Sequence, residues 1–136
     1  MTGSIIVPQA LFDAMITHAR EDDPNECCGL IGGRPGEATT LYRATNAEAS
    51  PFRYSLAPGE QLELMNRIED AGEDLVGIYH SHTRSGAWPS QTDINLAGGW
   101  PDTVWFIISL ENPETPDVKA FTIQENEVGV VDIQVQ

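Results

Sequence analysis

The sequence predicts an α+β (mixed α/β) fold in which helices pack on a single curved mixed sheet of about six strands. Two segments repeat apolar residues at helical spacing, several shorter segments are apolar or alternating, and turn residues separate them. The chain has 136 residues, 40% of them hydrophobic and 21% charged. This length and composition favour one domain over residues 1–136 with a core of its own.

Three helices are expected in order along the chain. Pro8 suits the first turn of a helix that ends near Asp22–Pro24 and repeats the apolar residues Leu11, Phe12, Met15, Ile16 and Ala19. A second helix begins at Pro58–Gly59 and ends near Gly72, with one face formed by Leu62, Met65, Ile68 and Ala71. A short third helix is predicted over residues 90–97.

The strands are predicted from apolar or alternating runs between turn residues. Residues 27–33 and 39–44 form a hairpin around the turn at 34–36, and residues 118–124 and 128–135 form a second hairpin. The other strands are predicted at 4–7, 52–56, 75–82 and 104–110.

The charge of the chain excludes several kinds of partner. Lys and Arg number 7 against 21 Asp and Glu, for a net charge of −14. Nucleic acid and anionic membrane surfaces are poor partners, because binding them requires cations. No apolar run approaches the roughly 20 residues that span a bilayer. Residues 1–7 lack the features of a signal peptide, so we expect a cytoplasmic protein. Adaptation to high intracellular salt is a further hypothesis from the acidic composition.

A metal site is indicated by three residues in two neighbouring segments. His80 and His82 lie two apart on a predicted strand, so both side chains leave the same face. Asp93 follows in the first turn of the next helix. Two imidazoles and one carboxylate leave a fourth position for water, as in catalytic zinc sites. These fragments are equally compatible with ordinary core histidines and a helix N-cap at Ser90.

A third fragment adds a carboxylate at the mouth of an apolar strand rich in glycine. Glu26 precedes the run from Cys27 to Gly33. Alone it is compatible with a solvated loop residue. Together with the metal-binding pattern, it supplies the general base that zinc hydrolysis requires.

The three fragments together resemble the JAMM motif of the MPN+ metallopeptidases. They are Glu26–Gly33, His80–Thr83 and Ala87–Asp93, and ten residues separate His82 from Asp93 as that motif requires. The resemblance spans most of the chain and implies a fold related to cytidine deaminases, the MPN/JAMM domain.

The resemblance also implies a role for each residue of the motif. His80, His82 and Asp93 would bind one Zn²⁺. Glu26 would take the proton of the attacking water and pass it to the leaving amine. Ser90 would donate a hydrogen bond to the oxyanion, besides capping the helix.

The stretch from Arg53 to Asp93 is most similar to bacterial Mec-type peptidases, through segments at 53–54, 60–62, 69–74 and 78–83. This similarity implies a β-grasp (ubiquitin-like) sulfur-carrier protein with a C-terminal Gly-Gly as partner, and release of cysteine from a carrier–cysteine adduct in cysteine biosynthesis. Substrate-side candidates are Arg53, Arg84 and Trp88, although Trp88 is equally compatible with loop packing. The sequence carries no signal for an oligomeric state.

Other functions remain open at this point. One is a peptidase that processes or deconjugates other ubiquitin-like modifiers, and another is a non-catalytic MPN binding module. A cysteine hydrolase is a weaker alternative, because no group in the sequence is placed to activate Cys28. We expect Cys28, with its neighbour Cys27, to be a buried thiol rather than a nucleophile or half of a disulfide.

Overall fold

The computed structural model describes residues 3–136, which form seven strands, three α-helices and one 3₁₀ turn. The strands are β1 (Ser4–Val7), β2 (Cys28–Arg34), β3 (Glu37–Ala44), β4 (Asp74–His82), β5 (Val104–Ser109), β6 (Asp117–Gln124) and β7 (Glu127–Val135). The helices are α1 (Gln9–Asp22), α2 (Pro58–Asp70) and α3 (Gln91–Leu96), with the 3₁₀ turn at Ala97–Gly99. No helix in this part of the chain has the length and apolarity to cross a bilayer.

The sheet closes on itself in the order β1-β3-β2-β4-β5-β6-β7. Strand β4 lies between β2, which is antiparallel to it, and β5, which is parallel to it. Strand β1 closes the barrel by pairing in parallel with β7 and, through a single residue pair, with β3. The predicted mixed sheet and both predicted hairpins are confirmed, and closure is the feature that the sequence pattern did not predict.

The two sides of the sheet carry two separate apolar clusters. Met15 of α1 belongs to the cluster that contains Tyr79, whereas Leu64 of α2 belongs to the cluster that contains Ile78. Because side chains alternate along β4, His80 and His82 lie on the same side as Ile78. The strand therefore directs both imidazoles to the side of the sheet covered by α2.

The buried face of α2 differs from the prediction. Leu64 and Ile68 are buried, but Leu62 is 63% exposed and Met65 is 37% exposed. Leu64 and Ile68 are four residues apart and lie one above the other on the helix, whereas Leu62 and Met65 project to other sides. The sequence contained two competing apolar stripes, and contact with the sheet selected the i, i+4 stripe.

The prediction of a strand at residues 52–56 was wrong, because this segment is irregular in the structure. Its polar backbone groups bond to the Asn46 side chain and to Ala47 rather than to a neighbouring strand. The third helix is also shorter than predicted, because it gives way to the 3₁₀ turn after Leu96.

Candidate metal centre and catalytic site

Three buried side chains converge at the end of β4 and the start of α3. The His80 Nε2 and His82 Nε2 atoms are 3.1 Å apart. His80 Nε2 lies 3.2 Å from Asp93 Oδ1, and His82 Nε2 lies 3.2 Å from Asp93 Oδ2. The structure therefore brings together the three ligands expected from the sequence.

This spacing fits a tetrahedral metal ion. Ligand bonds of about 2.0–2.1 Å in tetrahedral geometry place neighbouring donor atoms about 3.3 Å apart. The separation of the two imidazole nitrogens is close to that value, and each nitrogen has a different oxygen of Asp93 at a similar distance. The donors, two imidazole nitrogens and one carboxylate, are the set that zinc prefers when one position is kept open.

Asp93 is directed into the cluster by the way α3 begins. The Ser90 hydroxyl oxygen accepts a hydrogen bond from the Asp93 backbone N–H at 3.1 Å. Asp93 Oδ2 in turn accepts one from the Ser90 backbone N–H at 2.9 Å, which completes a capping box. The helix cap that the sequence allowed as an alternative is therefore present, and it orients the carboxylate toward the histidines.

The outer nitrogens of the two histidines have different surroundings. His82 Nδ1 lies 2.9 Å from the Gly86 carbonyl oxygen, which holds the tautomer with Nε2 free to bind a metal. The His80 ring is fully buried between aromatic rings, stacked on Tyr54 at 4.5 Å and edge-on to Trp105 at 6.3 Å between centroids. Packing fixes the His80 ring, and a hydrogen bond fixes the His82 ring.

Burial and the ligand contacts shift the pKa values of the cluster. Burial lowers the pKa of His80, which favours the neutral form that binds metals. Burial acts against charge at Asp93 as well, but hydrogen bonds from both histidines outweigh it and hold the pKa of that carboxyl low. At His82 burial is outweighed by Asp93 and the Gly86 carbonyl, so its pKa is raised.

Glu26 lies at the start of β2 and is only 6% exposed. Burial raises the pKa of its carboxyl to about 7, the range in which a general base works best. Its backbone N–H donates to the Ser50 carbonyl oxygen at 2.9 Å. The next residue is held by the Ser81 hydroxyl, which accepts from the Cys27 N–H at 2.8 Å.

Glu26 borders a cavity of about 310 Å³ together with His82 and Asp93 of the metal cluster. Ser90 and residues 51–54 also line this cavity. A water, a general base and a hydrogen-bond donor can therefore meet beside the cluster, as hydrolysis of an amide requires.

The predicted substrate-side residues have different positions. Arg53 and Arg84 line the cavity, and neither has a carboxylate partner within residues 3–136. Trp88 is 55% exposed, packs edge-on against Phe121 at 5.1 Å between centroids, and does not line the cavity.

The cysteines are buried and not bridged to each other. Burial raises the pKa of each thiol to about 12, so neither forms the thiolate that a nucleophile requires.

Two residues of the site were missed by sequence reasoning. Tyr54 covers His80, and Asn46 bonds to the Glu26 carbonyl oxygen at 3.0 Å. An Asn in a polar loop indicates a local turn, but nothing in the sequence reveals a contact twenty residues away. A buried aromatic beside a metal ligand likewise has no local sequence signal.

Comparison with known proteins agrees with this geometry. Residues 8–124 match the family model described as prokaryotic homologs of the JAB domain. The chain belongs to this family. Its fold is that of a JAB1/MPN domain protein from Archaeoglobus fulgidus, with a TM-score of 0.62 at 16% identity over 96% of this chain and 99% of the other.

Two curated relatives are each 39% identical to this chain. One is the CysO-cysteine peptidase of Mycobacterium tuberculosis, over 91% of this chain and 86% of the relative. The other is the desampylase of Haloferax volcanii, and this match covers 71% of this chain and 74% of the relative. A solution structure from Desulfitobacterium hafniense matches with a TM-score of 0.86 and 33% identity over 97% of this chain and 92% of the other. The chain is a hydrolytic enzyme of this family, and the presence of all three candidate metal-binding residues argues against the non-catalytic alternative.

Proposed function

We propose that this chain is a zinc-dependent peptidase that hydrolyses the amide bond after the C-terminal Gly-Gly of a β-grasp sulfur-carrier protein. The released group is cysteine, and the carrier regains its free Gly-Gly end. The observation that carries the proposal is the buried Glu26 carboxyl in one cavity with His82 and Asp93, which form a cluster with His80. The similarity to the CysO-cysteine peptidase supports the choice of substrate.

Each residue of the cavity has a chemical task in this proposal. His80, His82 and Asp93 hold Zn²⁺, which when bound supplies Lewis acidity and lowers the pKa of water. Glu26 accepts a proton from the attacking water and donates it to the departing amine. The Ser90 hydroxyl accepts from Asp93 N–H, so its own proton is free to be donated to the oxyanion.

The cavity walls support a thin, extended substrate. Residues 51–55 belong to no strand, and residues 51–54 line the same cavity as Ser90 and Asp93. An extended Gly-Gly tail can lie along such a segment by backbone pairing, and glycines leave room for the approach of the scissile carbonyl to the cluster. This arrangement supports a carrier tail as the acyl side of the substrate.

The leaving group is recognised by cations in this proposal. Arg84 and Arg53 face the cavity in a chain of net charge −14, and the Arg84 guanidinium lies 5.9 Å from the centre of the Phe52 ring. A cation beside the scissile bond is suited to the carboxylate of a released amino acid. Trp88 lies in the same loop as Arg84, and we propose that its exposed face contacts the carrier surface.

The carboxylate contact can be tested by Arg84→Ala. We expect a rise in KM for the carrier–cysteine adduct, with a smaller rise for an adduct whose cysteine carboxylate is converted to an amide. Arg34→Ala is the control, because Arg34 is exposed at the far end of β2 from Glu26. An unchanged KM for Arg84→Ala would remove the carboxylate role.

A second candidate function is deconjugation of ubiquitin-like modifiers from proteins. It is favoured by the similarity to the desampylase and, at 33% identity over 93% of this chain, to the probable TtuB-protein conjugate cleaving protease of Thermus thermophilus. It predicts cleavage of lysine-linked carrier conjugates. We place either activity in the cytoplasm, where the two buried free thiols stay reduced.

The deciding experiment follows the intact mass of a β-grasp carrier that bears cysteine in amide linkage after its Gly-Gly. We expect wild-type protein loaded with zinc to remove one cysteine, and Glu26→Ala to leave the adduct intact over the same incubation apart from a slow residual rate. Cleavage of a lysine-linked conjugate alone would favour the second function. Equal cleavage by Glu26→Ala would reject the assignment of the general base.

A further inference from the structure

The Asn46 side chain is buried, with 7% of the residue exposed, and it makes five hydrogen bonds to backbone groups. Its Nδ2 donates to the carbonyl oxygens of Glu26 at 3.0 Å, Arg53 at 3.0 Å and Ser50 at 3.4 Å. Its Oδ1 accepts from the N–H groups of Glu48 at 2.9 Å and Ser55 at 3.3 Å. The Asn46 amide group thus joins Glu26 to two portions of the following loop, residues 48–50 and residues 53–55.

The contacts of Asn46 converge on the backbone of Glu26. The Glu26 carbonyl oxygen accepts from Asn46, and the Glu26 N–H donates to the Ser50 carbonyl, which Asn46 also contacts. Both polar backbone groups of Glu26 are therefore held by the loop that begins at Asn46. The position of the Glu26 carboxyl depends on this loop because the residue lies just before β2 begins.

The Asn46 side chain also holds the segment around Tyr54, which lines the cavity. Arg53 and Ser55 flank Tyr54, which stacks on His80, and both are bonded to Asn46 through their backbone groups. Only a side-chain amide offers donors and an acceptor in one rigid plane for this set of partners. Aspartate lacks the donors, and serine is too short to reach the same groups.

We propose that Asn46 is a positioning residue that holds the general base Glu26 and the cavity wall at 51–54 in a fixed relative arrangement. The proposal rests on the proposed function, because it requires Glu26 to act on the substrate. Asn46 makes no hydrogen bond to the metal ligands, so its effect on catalysis is separable from metal binding.

The first test measures steady-state kinetics of Asn46→Ala on the carrier–cysteine adduct. A displacement of about 1 Å in a reacting group can lower the rate by about 100-fold, so we expect kcat to fall by roughly 10- to 100-fold. Zinc content should stay at the wild-type level. Asn112→Ala is the matched control and should leave kcat unchanged, because the Asn112 side chain accepts from the Glu114 N–H in an exposed loop that contributes no residue to the cavity lining.

Asn46→Ser guards against a variant that does not fold. Serine can keep the local turn to the Glu48 N–H but cannot reach the Glu26 carbonyl. We expect this variant to lose activity like Asn46→Ala while remaining folded, with a smaller fall in melting temperature than Asn46→Ala because the turn to the Glu48 N–H is kept. Wild-type kcat in a folded Asn46→Ser or Asn46→Ala variant would overturn the proposal.

The second test is a double-mutant cycle with Glu26→Ala. If Asn46 acts through Glu26, then Asn46→Ala should cause no further loss of the residual rate in the Glu26→Ala background. Fully additive losses would show that Asn46 acts by another route and would overturn the proposal. Full activity of Glu26→Ala alone would instead reject the proposed function, so the two failures are distinguishable.

Discussion

The Tyr54 ring lies on the His80 imidazole, with centroids 4.5 Å apart and planes 25° apart. The stack fixes a ring whose outer nitrogen, Nδ1, has no hydrogen-bond partner within residues 3–136. Loss of the aromatic ring should therefore loosen His80, whereas loss of the Tyr54 hydroxyl should not, because that hydroxyl is also without a partner there.

For this contact we predict that Tyr54→Ala lowers the free energy of unfolding by about 3–5 kcal/mol, as expected for removal of a buried aromatic ring. Its zinc affinity should fall as well. Tyr54→Phe keeps the stack, so its unfolding free energy should stay within about 1 kcal/mol of the wild type. Urea denaturation and zinc titration of both variants measure these effects. A loss of zinc affinity in Tyr54→Phe would contradict a role limited to stacking.

Removal of the metal should destabilise the protein. Binding to the folded state alone contributes about 2.7 kcal/mol when free zinc exceeds Kd by 100-fold, and a chelator should remove that contribution. His82→Ala should show little response to the chelator.

The stabilisation by zinc should also depend on pH. Because the pKa of His82 is raised, protons should compete with zinc for this side chain, so the metal-dependent rise in Tm should shrink as the pH falls. Thermal melts with and without zinc measure the effect, and a response that grows at acid pH would contradict it.

The buried carboxyl of Glu26 should reduce stability in the metal-free protein. Its pKa of about 7 in the folded state is above the usual value of 4.5, so the folded state favours the protonated form. The free-energy cost of burying the charged carboxylate is absent below the pKa of the unfolded state. It grows between the two pKa values and is complete above the pKa of the folded state. Glu26→Gln should raise the unfolding free energy at pH 8 by about 2 kcal/mol, allowing for partial solvation, and have little effect at pH 4. Equal effects at both pH values would mean that the carboxyl is not responsible.

Substitutions can separate the helix-capping role of Ser90 from its proposed role as an oxyanion donor. Ser90→Ala should lower kcat by about 100-fold through loss of the oxyanion donor. It should also lower the unfolding free energy by about 1 kcal/mol through loss of the helix cap. Ser90→Asp keeps a good capping residue without a donor proton, so its stability should recover while kcat stays low. Recovery of kcat in Ser90→Asp would show that the cap is the only function of Ser90.

The acidic composition predicts a response to salt. Salt screens repulsion among surface charges, and the net charge is −14. We therefore expect the melting temperature to rise between low and molar salt. A matched measurement at pH 5, where part of the carboxyl charge is neutralised, should show a smaller rise. A melting temperature that does not increase with salt would contradict the hypothesis of adaptation to high salt.

The sequence alone predicted that His80, His82 and Asp93 come together, and it predicted most of the secondary structure. The spacing of His80 and His82 on a strand and the start of a helix at Ser90 are local features, and local rules of alternation and capping determine both. The motif linked them to Glu26 despite the distance along the chain. The metal cluster, both hairpins and the buried state of Cys28 were predicted in this way.

The tertiary structure decided the features that depend on contacts between distant segments. Closure of the barrel by β1, the face of α2 that is buried and the irregular course of residues 52–56 each depend on the partner that a segment meets. The stack of Tyr54 on His80 and the five bonds of Asn46 join parts of the chain that have no common periodicity. Local sequence determines which side chains are available, whereas burial and hydrogen bonding across the fold determine which of them surround the site.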